Sequence, residues 1–164
     1  MEKKIFDTKK TKMKLNFFLL LLTFLTAITL TSATDLTPET VRGSVIIHNW
    51  TNNFRFEAQD KGFTWGRMCQ DGGSIPDVEP NQTTNVCTQG RDGSPSGFTG
   101  WFKYRIRKID SNELIGEFTV NFDCPYIVGN SASIDTKSYT AIYKINPSYD
   151  ISQNDFTYAV SVSA

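Results

Sequence analysis

Apolar and polar residues alternate along most of this chain, and the alternation has the period of a β-strand rather than of a helix. Val41, Gly43, Val45 and Ile47 alternate with Arg42, Ser44, Ile46 and His48; Phe54, Phe56 and Ala58 alternate with Arg55 and Glu57; Phe63 and Trp65 alternate with Thr64 and Gly66. Asn52-Asn53, Asp60-Lys-Gly62 and Asp71-Gly-Gly73 supply residues that tolerate turn geometry, so these strands are expected to form a meander. The stretch from Ile75 to Gly97 is rich in proline and glycine and is expected to be loop, with one strand at Thr84–Thr88. Trp101–Ile109 and Glu113–Asp123 flank Asp110-Ser-Asn112 as the longest predicted hairpin, and Tyr139–Ile145 and Phe156–Val162 are predicted to close the fold. About eight short strands without a sustained helical period predict an all-β, single-domain β-sandwich.

Phe118, Val120 and Phe122 share one face of a strand, and Thr119 and Asn121 the other, until Pro125 removes the next ladder donor behind Asp123 and Cys124. Tyr126-Ile-Val-Gly-Asn130 then combines loop punctuation with apolar side chains, which suits a surface that binds something apolar.

The first 33 residues differ in kind. Six lysines between Lys3 and Lys14 precede an apolar run from Phe17 to Leu30, and Thr31-Ser-Ala33 offers small residues for cleavage. This predicts a secretory signal peptide over 1–33 and a secreted domain over 34–164; a membrane anchor would need about 20 apolar residues. Removing that segment takes away six of 17 basic and two of 17 acidic residues, leaving 11 and 15, a formal charge of −4. A basic surface for nucleic acid is therefore not the expectation.

Secretion changes the reading of the cysteines and asparagines. In an oxidising compartment Cys69 can pair with Cys87 and leave Cys124 free; alternatively all three are buried thiols. Asn49-Trp-Thr51 and Asn81-Gln-Thr83 are glycosylation sequons, of which Asn81 lies in the long loop. Catalysis has little to stand on. His48 is the only histidine and lies within a strand, no Gly-x-Ser-x-Gly elbow occurs, and Asp71-Gly-Gly73 and Gly90-Arg-Asp-Gly93 lack the strand-to-helix context of a phosphate cradle. No enzyme activity and no cofactor are predicted.

With the strands placed, the ordered motifs resemble the aegerolysin family. Val45-Ile-Ile-His-Asn49, Trp65-Gly-Arg67 with Asp71-Gly72, Gly90-Arg91 with Gly97-Phe-Thr-Gly100, and Asp123-Cys-Pro-Tyr126 occur in the family's order across Val41 to Val162. The resemblance implies a sandwich similar to that of actinoporins, which binds sphingolipid headgroups, with sterol in some members, and permeabilises cells beside a larger partner of the membrane-attack-complex/perforin class. Carried over by position, Trp65 and Tyr126 match membrane-facing aromatics, and Ser96 stands where the family has an acidic headgroup neighbour. Tyr126 also replaces the usual tryptophan, so which lipid is bound is left open.

The residues themselves add Phe98, beside Gly97, as a candidate interfacial ring, along with Trp50 and Trp101. Trp101, Lys103, Arg105 and Arg107 fall on one strand face, where they either hold lipid phosphate or pair across the hairpin with Glu113 or Glu117. A secreted carbohydrate-binding or adhesion module on the same sandwich is the second functional reading.

Overall fold

The strands that carry this alternation divide between two sheets packed face to face. A computed structural model describes residues 40–164 apart from Asp71, Ser94 and Val128; the leader predicted over residues 1–33 lies outside the described residues. Among the described residues nine strands follow in chain order: β1 (Arg42–Asn49), β2 (Phe54–Trp65), β3 (Arg67–Met68), β4 (Thr83–Gln89), β5 (Phe98–Lys108), β6 (Leu114–Cys124), β7 (Ser131–Ser138), β8 (Lys144–Ser152) and β9 (Asp155–Ser163). One sheet has the order β3-β4-β1-β9-β8 and the other β2-β5-β6-β7. All pairings are antiparallel except that of β1 with β9.

The expected meander is corrected by this topology. β1 and β2 belong to different sheets, and β1 pairs with β4 and β9 instead. Asp60-Lys-Gly62 makes no turn: β2 runs through it as one long strand with irregularities between Ala58 and Asp60 and between Phe63 and Trp65. The Tyr139–Ile145 expectation is displaced, since β8 begins at Lys144, and β7 was not foreseen.

Alternation fills the space between the sheets. Phe98, Phe102, Tyr104 and Ile106 of β5 and Phe118, Val120 and Phe122 of β6 point inward and meet Val45 and Ile47 of β1 and Phe156, Tyr158 and Val160 of β9. The rings engage edge to face: Phe98 to Phe156 at 5.9 Å, Phe56 to Phe118 at 5.0 Å and Phe102 to Phe122 at 4.9 Å. Each such buried ring contributes about 2 to 3 kcal/mol by removing apolar area from water. Tyr158 reaches across from one sheet and donates its hydroxyl to the Asn121 carbonyl of the other.

Cys69 and Cys87 form a disulfide that ties the segment after β3 to β4, and Cys69 N–H also donates to the Cys87 carbonyl at 3.0 Å. Closing this 18-residue separation stabilises the fold by about 3 kcal/mol. Cys124 is free and buried, and burial, aided by neighbouring Asp123, pushes its thiol up to about 11, so it stays protonated and unreactive at neutral pH.

Candidate functional site

Strand register brings four connections to one end of the sandwich. Trp65 is level with Thr99, Phe98 with Cys124, Arg42 with Gln89, and Ser44 with Asp155. The β2–β3 corner, the Gly90–Gly97 segment, the Pro125–Asn130 segment and the Gln153-Asn154 turn therefore meet there, and this is called the loop end below. Gly66 makes the corner: its φ is 80°, and a Cβ there would lie 2.5 Å from the Gln89 carbonyl and 2.7 Å from the Phe98 side chain.

The corner presents Trp65, 43% exposed, with the Arg91 guanidinium stacked on its indole 4.0 Å from the ring centroid. Arg67 forms an ion pair with Asp92 next to it. Pro125 ends β6 as expected, and beyond it Tyr126 is 49% and Ile127 87% exposed. Among the described residues Tyr126 makes no side-chain hydrogen bond or ring contact. Two apolar side chains thus stand out into solvent beside a tryptophan capped by a cation. Water solvates such an end poorly, whereas a lipid interface accommodates both its apolar and its charged parts.

The predicted site residues separate into three groups. Trp65 and Tyr126 share the loop end, as their motifs imply. Ser96 lies there too but is buried, its hydroxyl accepting from Arg91 N–H at 2.9 Å and donating to the Arg91 carbonyl at 3.4 Å, so it braces the turn that presents Arg91. Phe98 is corrected: it is fully buried, because β5 starts at Phe98 rather than Trp101 and Phe98 occupies an inward position. Its glycine neighbour marks close strand packing, not a loop.

Trp101, Lys103 and Arg105 lie on the outer face of the β2-β5-β6-β7 sheet. Lys103 Nζ is 3.2 Å from Glu117, and Arg107 Nε donates to Glu57 at 2.8 Å, so cross-strand pairing holds this stripe. Arg105 stands in register with both Glu57 and Glu117. Arg107 in turn holds Glu57 below the usual carboxylate range.

Asn49 is also corrected as a glycosylation site. It is 1% exposed, its amide donates to the Phe54 and Val78 carbonyls at 2.8 and 2.9 Å, and its oxygen accepts from Thr51 N–H and Oγ1. Its nitrogen is committed to the fold. Asn81 is exposed and donates to the Asn52 oxygen at 3.0 Å.

Arg91 was missed in the sequence as a partner for Trp65. The two are 26 positions apart, Trp65 at the end of β2 and Arg91 in the segment after β4, so no periodicity links them; only the Gly90-Arg91 dipeptide marked the place.

Among known structures, the lipid binding protein Nakanori shares this fold with a TM-score of 0.54 at 10% identity, over 76% of this chain and 71% of that one. IP-1A from Alcaligenes faecalis matches with a TM-score of 0.48 at 19% identity, over 73% of this chain and 89% of that one. RahU, solved with a TRIS molecule, matches with a TM-score of 0.46 at 16% identity, over 77% and 96%. At these identities only the Nakanori likeness carries weight, and it speaks to fold alone. No curated protein matches the chain in sequence. The aegerolysin family model matches residues 46–163, and the chain belongs to the aegerolysin family.

Proposed function

We propose that the protein binds lipid membranes through its loop end, with Tyr126 and Ile127 entering the interface while Trp65 and Arg91 meet the headgroups. The observation that carries this is the exposure of Tyr126 and Ile127 beside the Arg91–Trp65 stack. Family membership supports it, as does the shared fold of Nakanori, a lipid binding protein. Burying the two apolar side chains would contribute about 1 to 3 kcal/mol each, and Arg91 about 1 kcal/mol toward a phosphate. The finer reading is a secreted protein that recognises phosphate-bearing sphingolipid headgroups, with sterol as a co-ligand and a perforin-class partner for cytolysis. The disulfide supports the oxidising setting. The reading is one of binding, not catalysis.

Co-sedimentation with sphingomyelin/cholesterol vesicles and with phosphatidylcholine vesicles tests it. Tyr126→Ala combined with Ile127→Ser should weaken binding at least about tenfold while the melting temperature stays near that of the parent, because exposed side chains contribute little to folding. Trp65→Ala should weaken it as well. Undiminished binding by the double variant would remove the loop end from the membrane.

A further inference from the structure

The outer face of the β2-β5-β6-β7 sheet has two unlike halves. Toward the hairpin of β5 and β6 it carries the paired charges Lys103, Glu117, Arg107 and Glu57. Toward the loop end it changes to a shallow cleft of about 310 Å³ floored by β5, β6 and β7 and edged by Thr64 of β2, whose other polar side chains are Thr99, Asn121, Asp123, Ser131 and Ser133, with Trp101 as one wall. The indole of Trp101 lies over Gly62 of the neighbouring strand, where a Cβ would come within 2.6–2.8 Å of ring atoms. Any larger residue at Gly62 would lift the ring off the sheet.

The polar groups beside this ring are already oriented. Thr99 donates its hydroxyl to Asp123 Oδ1 at 2.6 Å. The Asn121 amide donates to Ser133 Oγ at 3.2 Å and to Asp135 Oδ2 at 2.9 Å, which uses both of its protons and leaves its oxygen as an acceptor. A fixed aromatic platform, a carboxylate and an amide oxygen, flanked by small hydroxyls in a concave surface, are the elements of a polar-ligand site.

The groups lining the cleft decide which ligand. An anion would face Asp123 and Asp135, while Lys103, the next outward residue of β5, is held by Glu117 and offers it no free counter-charge. A compact cation would use the indole and a carboxylate but neither the Asn121 oxygen nor the flanking hydroxyls. A neutral ligand with many hydroxyls and an apolar C–H face uses all of these groups: its ring stacks on the indole while its hydroxyls donate to Asp123 and Asn121. We propose that this cleft binds a neutral saccharide, either a free glycan or the sugar of a glycolipid. It is a second site, and it stands or falls independently of membrane binding by Tyr126 and Ile127.

The probes are the methyl glycosides and disaccharides of glucose, galactose, mannose and N-acetylglucosamine at millimolar concentration, followed through the Trp101 indole N–H resonance and tryptophan fluorescence. At least one sugar should shift Trp101 and spare Trp65. Trp101→Ala should weaken that sugar at least tenfold, Trp101→Phe should retain part of the affinity through its remaining ring, Asp123→Asn should weaken it severalfold, and Trp65→Ala should leave it unchanged. The Phe and Asn variants keep the test open should Trp101→Ala fail to fold. Phosphatidylcholine vesicles with and without galactosylceramide separate the sources: Trp101-dependent capture only with the glycolipid assigns the site to a membrane sugar, and binding of the soluble sugar alone assigns it to a free glycan. Failure of every sugar in both arms, sugar binding unaffected by Trp101→Ala, or displacement of the sugar by tetramethylammonium would overturn the proposal.

Discussion

The two ends of the sandwich both expose large apolar side chains, yet they hold them differently. At the loop end Tyr126 and Ile127 project beyond Pro125, and Trp65 is engaged by Arg91. At the opposite end Trp50, Ile109, Tyr139 and Ile142 are exposed to a similar degree. There, however, Asn49 locks the β1–β2 connection to the Phe54 and Val78 carbonyls, the Ile109 N–H donates to the Asn53 carbonyl, and Lys137 lies over the Tyr139 ring at 4.9 Å. Exposure alone therefore does not identify a binding surface. Side-chain hydrogen bonds fasten both ends, Ser96 to Arg91 and Asn130 to the Gln153 carbonyl at the loop end, so the difference lies in the exposed groups: Tyr126 and Ile127 project beyond a close backbone approach at Gly97, whereas Lys137 and Glu117 engage the Tyr139 ring of the cap.

The largest expected effect breaks the packing beneath the loop end. A Cβ on Gly97 would lie 1.7 Å from the Cys124 carbonyl oxygen, so Gly97→Ala must separate β5 from β6 where both strands support the exposed loops. A loss of about 4 kcal/mol or more in chemical denaturation is expected, together with lost vesicle binding. Asn49→Ala makes the matching change at the cap. It leaves the buried Thr51 N–H without a partner and takes one of two donors from each of the Phe54 and Val78 carbonyls, which keep Thr51 Oγ1 and Phe56 N–H, for a loss of about 1 to 2 kcal/mol, while the folded fraction still binds vesicles as the parent does. If Asn49→Ala abolishes binding by folded protein and Gly97→Ala spares it, the two ends exchange roles.

Much of this division was legible in the sequence because the central strands announce themselves. β1, β5, β6 and β9 alternate large apolar with polar residues, and the hairpin of β5 and β6 fell close to its predicted place. The edge strands β7 and β8 gave weaker signals. β7 has Ile134 as its one large apolar residue, and β8 carries Pro147, which an edge tolerates and a central strand does not. Phe98 was misplaced because Gly97 and Gly100 mimic loop punctuation when they serve close strand approach. Tyr126 was read from Pro125, a local stop that needs no tertiary knowledge. Arg91 over Trp65, and Trp101 over Gly62, depend on which strands become neighbours, and periodicity does not encode that.

The smallest expected effect tests whether Tyr139, an exposed ring of the cap, is as free as Tyr126. Its hydroxyl is the first cause that holds Glu117 below the usual carboxylate range, against the opposing cost of burial and ahead of Lys103. The same contact raises the Tyr139 hydroxyl above its ordinary value. Because the Glu117 value is lowered on folding, its stabilisation is fully present above the ordinary value of 4.5 and is lost as pH falls through the folded value. Glu117→Gln should thus cost about 0.5 kcal/mol at neutral pH, and this difference from the parent should vanish in acid. Tyr139→Phe should reproduce part of that pH dependence while leaving vesicle binding intact. A stability difference that persists unchanged into acid would detach Tyr139 from Glu117. A Tyr139→Phe variant with impaired vesicle binding would make the cap a membrane surface in its own right.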